Sequence, residues 1–130
     1  MDDQAKRHIV YVEDDVEMIG LVKLILERKG YRVTGAEGGR AGLDLIHKAL
    51  PDLVLLDLMM PDIDGWDIYQ NMRNAELTQD IPVIVITAKA QNIDRVLGLH
   101  IAKVDDYISK PFRPQELVSS VSKVLDGAPA

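Results

Sequence analysis

The chain has 130 residues, no cysteine, 47 % hydrophobic residues and a formal net charge of −6. That length fits one domain with a core of its own, and that apolar content excludes disorder. Missing thiols exclude disulfide frameworks, cysteine zinc sites and thiol nucleophiles, and an acidic balance without Lys or Arg runs argues against direct binding to nucleic acid or a membrane surface. The longest apolar stretches, Leu53–Leu56 and Ile81–Ile86, are too short to span a bilayer. Met1, Asp2 and Asp3 lack the character of a signal peptide, so a soluble, cytoplasmic domain is expected.

Along the chain, two rhythms alternate. His8–Val12 is an unbroken apolar run and predicts a first strand. Met18, Leu21, Val22 and Ile25 then form a helical stripe, which Gly30 stops. Tyr31–Thr34 is a weaker strand, and Leu45, Ile46 and Ala49 mark a helix that Pro51 ends. Leu53–Leu56 is the second unbroken run, followed by a weaker helix over Trp66–Arg73. Val83–Ile86 is the third such run, followed by a weak helix over Ile93–Leu99. Tyr107–Ile108 is a short strand, and Leu117, Val118, Val121, Val124 and Leu125 form the clearest helical stripe. Residues 8–126 thus read as the core of a single domain over 1–130, with 127–130 as a tail or the start of a linker.

Apolar runs without polar alternation signify strands covered on both faces, hence a parallel sheet. Five βα units of this kind predict an open, doubly wound α/β sandwich, because a closed barrel normally takes eight. Such sheets bind ligands beyond the carboxyl ends of their strands. In this sequence those ends carry Glu13, Asp14 and Asp15 after the first strand, Asp57 after the third, Thr87 after the fourth and Lys110 after the fifth.

Taken singly, these residues have bland readings. Asp14 or Asp15 would cap the next helix, Thr87 would do the same for its own, and Lys110 would be a solvated surface lysine. Asp57 is different, because an acid between Leu53–Leu56 and Leu58-Met59-Met60 needs a partner if part of it is buried. Taken together, Glu13, Asp14 and Asp57 sum to −3, and like carboxylates repel. Mg²⁺ and Lys110 would neutralise them, with oxygen ligands of the kind Mg²⁺ prefers. An aspartate placed beside Mg²⁺ and a lysine can attack phosphorus, with Thr87 donating to the phosphoryl oxygens. His8, His47 and His100 have no metal-binding spacing.

Val12-Glu13-Asp14-Asp15, Leu55-Leu56-Asp57-Leu58-Met59-Met60-Pro61, Asp64-Gly65, Thr87-Ala88 and Tyr107-Ile108-Ser109-Lys110-Pro111-Phe112 together give the chain its family likeness. In these motifs, and over essentially its whole length, it resembles the receiver domain of two-component response regulators. The resemblance implies a flavodoxin-like sheet of strand order 2-1-3-4-5, the order also found in a chemotaxis receiver. It implies Asp57 as phospho-acceptor, with Mg²⁺ held by Asp14 directly, by Glu13 mainly through water, by Asp57 and by the Met59 backbone carbonyl. Lys110, joined to Pro111 by a cis bond, would pair with the phosphoryl group. Thr87 would swing toward the phosphate and Tyr107 rotate inward behind it, changing the surface made by the fourth helix, fifth strand and last helix. A histidine kinase or phosphotransfer protein would supply the phosphoryl group, and a downstream protein or fused output domain would read the change. The protein would catalyse only its own phosphorylation and dephosphorylation.

The sequence departs from the family pattern in places. Receivers carry Gly-Ala before the Asp-Asp-Tyr segment, whereas Ile101-Ala102-Lys103-Val104-Asp105-Asp106 has no glycine and one extra residue. A left-handed cap at Lys103 would be strained, so another loop path is expected. Ser120 and Ser122 replace basic residues that support pairing of receivers through this region, which disfavours such a dimer. Met59 cannot orient an attacking water, and Lys89 is placed to shield the phosphoryl group, so slow self-dephosphorylation is expected.

Other function classes fit less well. A metal-dependent phosphohydrolase on a similar sheet would need a second acid two residues after Asp57, where Met59 stands. A flavin-binding module needs phosphate donors after the first strand, and Glu13-Asp14-Asp15 would repel phosphate. A degenerate receiver acting only as a binding module is weakened because no acid-site residue is missing.

Overall fold

The computed structural model describes residues 6–88 and 104–127. Strands β1 (His8–Glu13), β2 (Arg32–Glu37), β3 (Leu53–Leu56), β4 (Val83–Thr87) and β5 (Asp106–Ser109) form one parallel sheet in the order β2-β1-β3-β4-β5. Helices α1 (Val16–Glu27), α2 (Gly39–Ala49), α3 (Gly65–Asn74) and α4 (Pro114–Asp126) are described with it. The helix expected over Ile93–Leu99 and the first half of the loop at Ile101–Asp106, residues 101–103, lie outside the described residues, as does Lys89. No described helix is long and apolar enough to cross a membrane.

Burial follows strand order. In β3 and β4 every residue is buried, and in β1 all but His8 are, which explains the unbroken apolar runs. The edge strands β2 and β5 are only partly covered and carry polar residues. Alternation along the central strands separates two cores. Ile9, Tyr11, Leu53, Leu55, Ile84, Ile86 and Ile108 pack with Val22 and Leu26 of α1 and Leu117 and Val121 of α4. On the other face, Val10, Val12, Val54, Leu56, Val83 and Val85 pack with Ile46 of α2 and Ile68, Tyr69 and Met72 of α3.

Several local expectations need correction. β1 continues through Glu13, which pairs in register with Glu37 of β2, so both strands outrun their apolar segments. The neighbour's ladder holds residues that have no strand signal of their own, Gly35 among them. Leu21 lies outside the α1 core stripe and is 47 % exposed, because the packed line runs through Met18, Val22 and Leu26. α1 ends at Glu27, before Gly30, whose φ of +94° is one that L-residues rarely adopt.

α2 stops at Leu50, a left-handed cap with φ 48° that leaves a leucine 43 % exposed. A Cβ in this region costs on the order of 1 kcal/mol. Leu50→Gly is therefore expected to raise stability by about 0.5–1 kcal/mol, read as a higher urea midpoint with an unchanged slope. A lower midpoint would mean that the leucine side chain contributes more than the backbone costs.

Candidate functional site at the carboxyl edge of the sheet

Continuing the strand alternation past each strand end shows why acids and lysine converge. Glu13 lies two residues beyond Tyr11, Asp57 two beyond Leu55 and Lys110 two beyond Ile108, so all three keep the parity of the core under α1 and α4. The backbone fixes their depth: Asp57 N–H donates to Val12 O at 3.0 Å, and Lys110 N–H to Thr87 O at 2.9 Å. The Lys110–Pro111 bond is cis.

Carboxylate oxygens of Glu13, Asp14 and Asp57 lie within 4.8 Å of one another. Glu13 and Asp57 are almost fully buried, at 1 % and 3 % exposure, whereas Asp14 is exposed. Lys110 Nζ donates to Glu13 Oε1 and stands 3.6 Å from Asp57 Oδ2. The other Asp57 oxygen, Oδ1, accepts the Met59 N–H at 3.1 Å. The donor set fits a hard divalent cation, being oxygen-only, mutually close and negative in sum after Lys110 is counted.

These contacts divide the charges unequally. Burial pushes the Asp57 carboxyl up to about 6, reinforced by its hydrogen bond and repulsion with Glu13, against the Met59 N–H and Lys110. Burial pushes Glu13 upward too, but hydrogen bonds from Lys110, Asp57 and Tyr11 outweigh it and hold the carboxyl at about 2. Lys110 is raised above the ordinary lysine value, because Glu13 and Asp57 outweigh its own desolvation. Asp14 is raised chiefly by its hydrogen bond with Glu13.

Thr87 ends β4 fully buried, and among the described residues its Oγ1 is the buried side-chain polar atom without a hydrogen-bond partner. A buried hydroxyl left unpaired costs on the order of 1–3 kcal/mol, which a phosphoryl oxygen would recover. Tyr107, on edge strand β5, is 38 % exposed. Met59 exposes its side chain and offers the site backbone groups only.

Asp15 caps α1, accepting the N–H groups of Glu17 and Met18 at 3.0 and 3.3 Å, so the bland reading holds for it. Sequence reasoning overlooked Tyr11, whose hydroxyl donates to Glu13 Oε1 at 2.8 Å. The available signal was a phenol two residues before the acid, set among the aliphatic Ile9, Val10 and Val12. It also overlooked Asp62, which accepts the N–H groups of Gly39 and Arg40 at 3.0 Å each and so ties the loop after β3 to the start of α2.

Comparison with known proteins agrees with this geometry. The response regulator receiver domain family matches residues 9–122. The phosphate regulon transcriptional regulatory protein PhoB of Escherichia coli (strain K12) is 37 % identical over 119 residues, 92 % of this chain and 52 % of that protein. Response regulator SaeR of Staphylococcus aureus (strain USA300) is 36 % identical over 118 residues, 91 % of this chain and 50 % of that one. The chain therefore spans about half the length of these relatives. Among solved structures, a CheY-like response regulator receiver domain protein from Methanospirillum hungatei JF-1 superposes with TM-score 0.84 at 30 % identity, covering 95 % of this chain and 96 % of that one. Chemotaxis response regulator CheY4 of Vibrio cholerae, 24 % identical, shares the fold with TM-score 0.84 over 93 % of this chain and all of its own.

Proposed function

The chain belongs to the response regulator receiver domain family, and on that premise we propose that Asp57 accepts a phosphoryl group and that Thr87 and Tyr107 convert its arrival into a change of surface. Receiver domains are signalling proteins and not enzymes that turn over a substrate. The observation that carries the proposal is the buried Asp57 carboxylate, clustered with Glu13 and Asp14 and 3.6 Å from the Lys110 ammonium.

In the proposed reaction an Asp57 carboxylate oxygen attacks phosphorus. The donor's P–N bond, or P–O bond in an acyl phosphate, breaks, and the leaving group keeps the electron pair; an imidazole nitrogen takes up a proton, whereas an acyl carboxylate leaves as the anion. Asp57 must be ionised to attack, and Lys110 favours that form. Mg²⁺ held by Glu13, Asp14, Asp57 and the Met59 carbonyl would offset the charge developing on the phosphoryl oxygens. Lys110 then pairs with the phosphoryl group, and Thr87 donates its hydroxyl to it. The displacement of Thr87 opens room toward β5, into which the exposed Tyr107 turns, so the two states differ in the contacts each makes. Met59 brings no polar side-chain group to guide water, and Lys89, two residues beyond Thr87 in the sequence, adds a positive charge that favours retention of the phosphoryl group, so the phosphorylated state is long-lived.

The proposed phosphodonor is a histidine kinase or phosphotransfer protein in the cytoplasm. The readout is a downstream protein or fused output domain, in keeping with the similarity to PhoB, a transcriptional regulatory protein. The net charge of −6 disfavours direct contact of this domain with nucleic acid.

Intact mass after incubation with acetyl phosphate tests the proposal. One added phosphoryl group is expected, dependent on Mg²⁺, absent from Asp57→Asn and decaying slowly once the donor is removed. A folded wild type that gains no mass, and forms no beryllofluoride complex, would overturn it.

A further inference from the structure

Glu13 is the most heavily bonded acid of the site. Its Oε2 accepts the amides of Asp14 and Asp15 at 3.1 and 3.3 Å, and its Oε1 accepts both Lys110 Nζ and the Tyr11 hydroxyl. The Tyr11 ring is fully buried in the core under α1 and α4, which leaves its hydroxyl no solvent to turn to. Lys110, in contrast, has two possible partners, Glu13 and Asp57. Once Lys110 moves to a phosphoryl group on Asp57, Oε1 of a carboxylate only 1 % exposed would lose its charged donor. Tyr11 is the donor that stays, because it belongs to the same strand and its ring is held by packing.

Resting on the phospho-acceptor reading above, we propose that Tyr11 is a positioning residue: its hydroxyl fixes the Glu13 carboxylate toward the metal and frees Lys110 for the phosphoryl group. Groups that orient a metal's ligands commonly contribute about 10–100-fold in affinity or activity.

Tyr11→Phe removes only the hydroxyl and keeps the ring. Calorimetric titration with Mg²⁺ in the absence of phosphodonor is expected to show about a 10-fold weaker Kd. At saturating Mg²⁺, phosphorylation by acetyl phosphate should still be slower than wild type, because Lys110 remains bound to Glu13. Glu13→Asp withdraws the carboxylate by about 1.5 Å, one C–C bond. In that background Tyr11→Phe should therefore change the Mg²⁺ Kd by less than about 2-fold, since coupling vanishes once the contact is gone.

A folded Tyr11→Phe with wild-type affinity and rate would overturn the proposal. So would an equal loss in the Glu13→Asp background, which would mark a general packing effect, or a variant that fails to fold, which would assign the hydroxyl to stability. A folded wild type that neither binds Mg²⁺ nor takes up phosphate would instead bring down the underlying reading, and this inference with it.

Discussion

Asp57→Asn is expected to abolish phosphoryl uptake and yet unfold at a higher temperature than wild type in metal-free buffer at about pH 7.5. Burial and the neighbouring Glu13 raise the Asp57 carboxyl from 3.8 to about 6. Folding therefore favours its neutral form. The resulting stability is fully present below about pH 4 and is lost as pH rises through 6. Above that, the ionised carboxylate costs roughly 2–3 kcal/mol, taking about 1.4 kcal/mol per pKa unit. Glu13 acts in a different window. Held down at about 2, it contributes stability above its ordinary value, and that is lost as pH falls from about 4.5 toward 2.

An amide at position 57 keeps an acceptor for Met59 N–H and Lys110 but removes the charge. The expected gain at about pH 7.5 is roughly 5–10 °C in Tm, shrinking toward zero at about pH 4. Mg²⁺ should raise the Tm of wild type and leave Asp57→Asn almost unmoved. Thermal unfolding across pH, with and without Mg²⁺, checks both statements. A variant less stable than wild type at about pH 7.5 would show that Lys110 already offsets the desolvation of Asp57.

Gly65→Ala is expected to impair fold and chemistry together. A Cβ built at Gly65 stands 2.6 Å from Asp57 O and 2.6 Å from Leu58 Cα, both main-chain atoms. Neither can rotate away as a side chain would, so either the start of α3 or the turn after β3 must move. The Asp64 side chain caps Trp66 N at 2.8 Å, and Gly65 N donates to Leu58 O at 3.3 Å, which ties helix and turn together. The turn carries Asp57 and the Met59 amide that holds it.

Overpacking of this kind costs about 1–3 kcal/mol, and a shift near 1 Å at a reacting group costs on the order of 100-fold in rate. We expect about 2–3 kcal/mol lost in urea unfolding. Mass-detected phosphorylation by acetyl phosphate should slow by about 10–100-fold. Gly20→Ala on the exposed face of α1, where a Cβ meets nothing within 4 Å, is the matched control and should be neutral or slightly stabilising. Near-wild-type rates in Gly65→Ala would mean that the turn relaxes without moving the acceptor.

The fold was legible because its signals are local. Leu53–Leu56 and Val83–Ile86 are apolar at every position because helices cover both sides, and the poorer segments at Tyr31 and Tyr107 are the sheet's edges. Acids at the ends of apolar runs stood out because nothing in their neighbourhood accounts for them. Leu21 misled for an equally local reason, since a 3.6-residue stripe admits neighbouring lines and only the sheet selects Met18, Val22 and Leu26. Strand lengths were underestimated because Gly35 to Glu37 owe their conformation to pairing with Tyr11 to Glu13.

What the amino-acid order determined alone is therefore the rhythm of elements, the identity of residues at each strand end and the net charge they sum to. Tertiary structure decided the partnerships. Lys110 reaches Glu13 across 97 positions, Asp57 receives less of that lysine than the acid on β1, and Tyr11 enters the site from inside a core strand. It likewise left the Thr87 hydroxyl buried without a partner among the described residues, and Tyr107 partly exposed. Periodicity is a property of consecutive residues and can be read along the chain. Hydrogen bonds, desolvation and charge sharing are properties of distance, and distances between strand ends exist only once strand order and register are set.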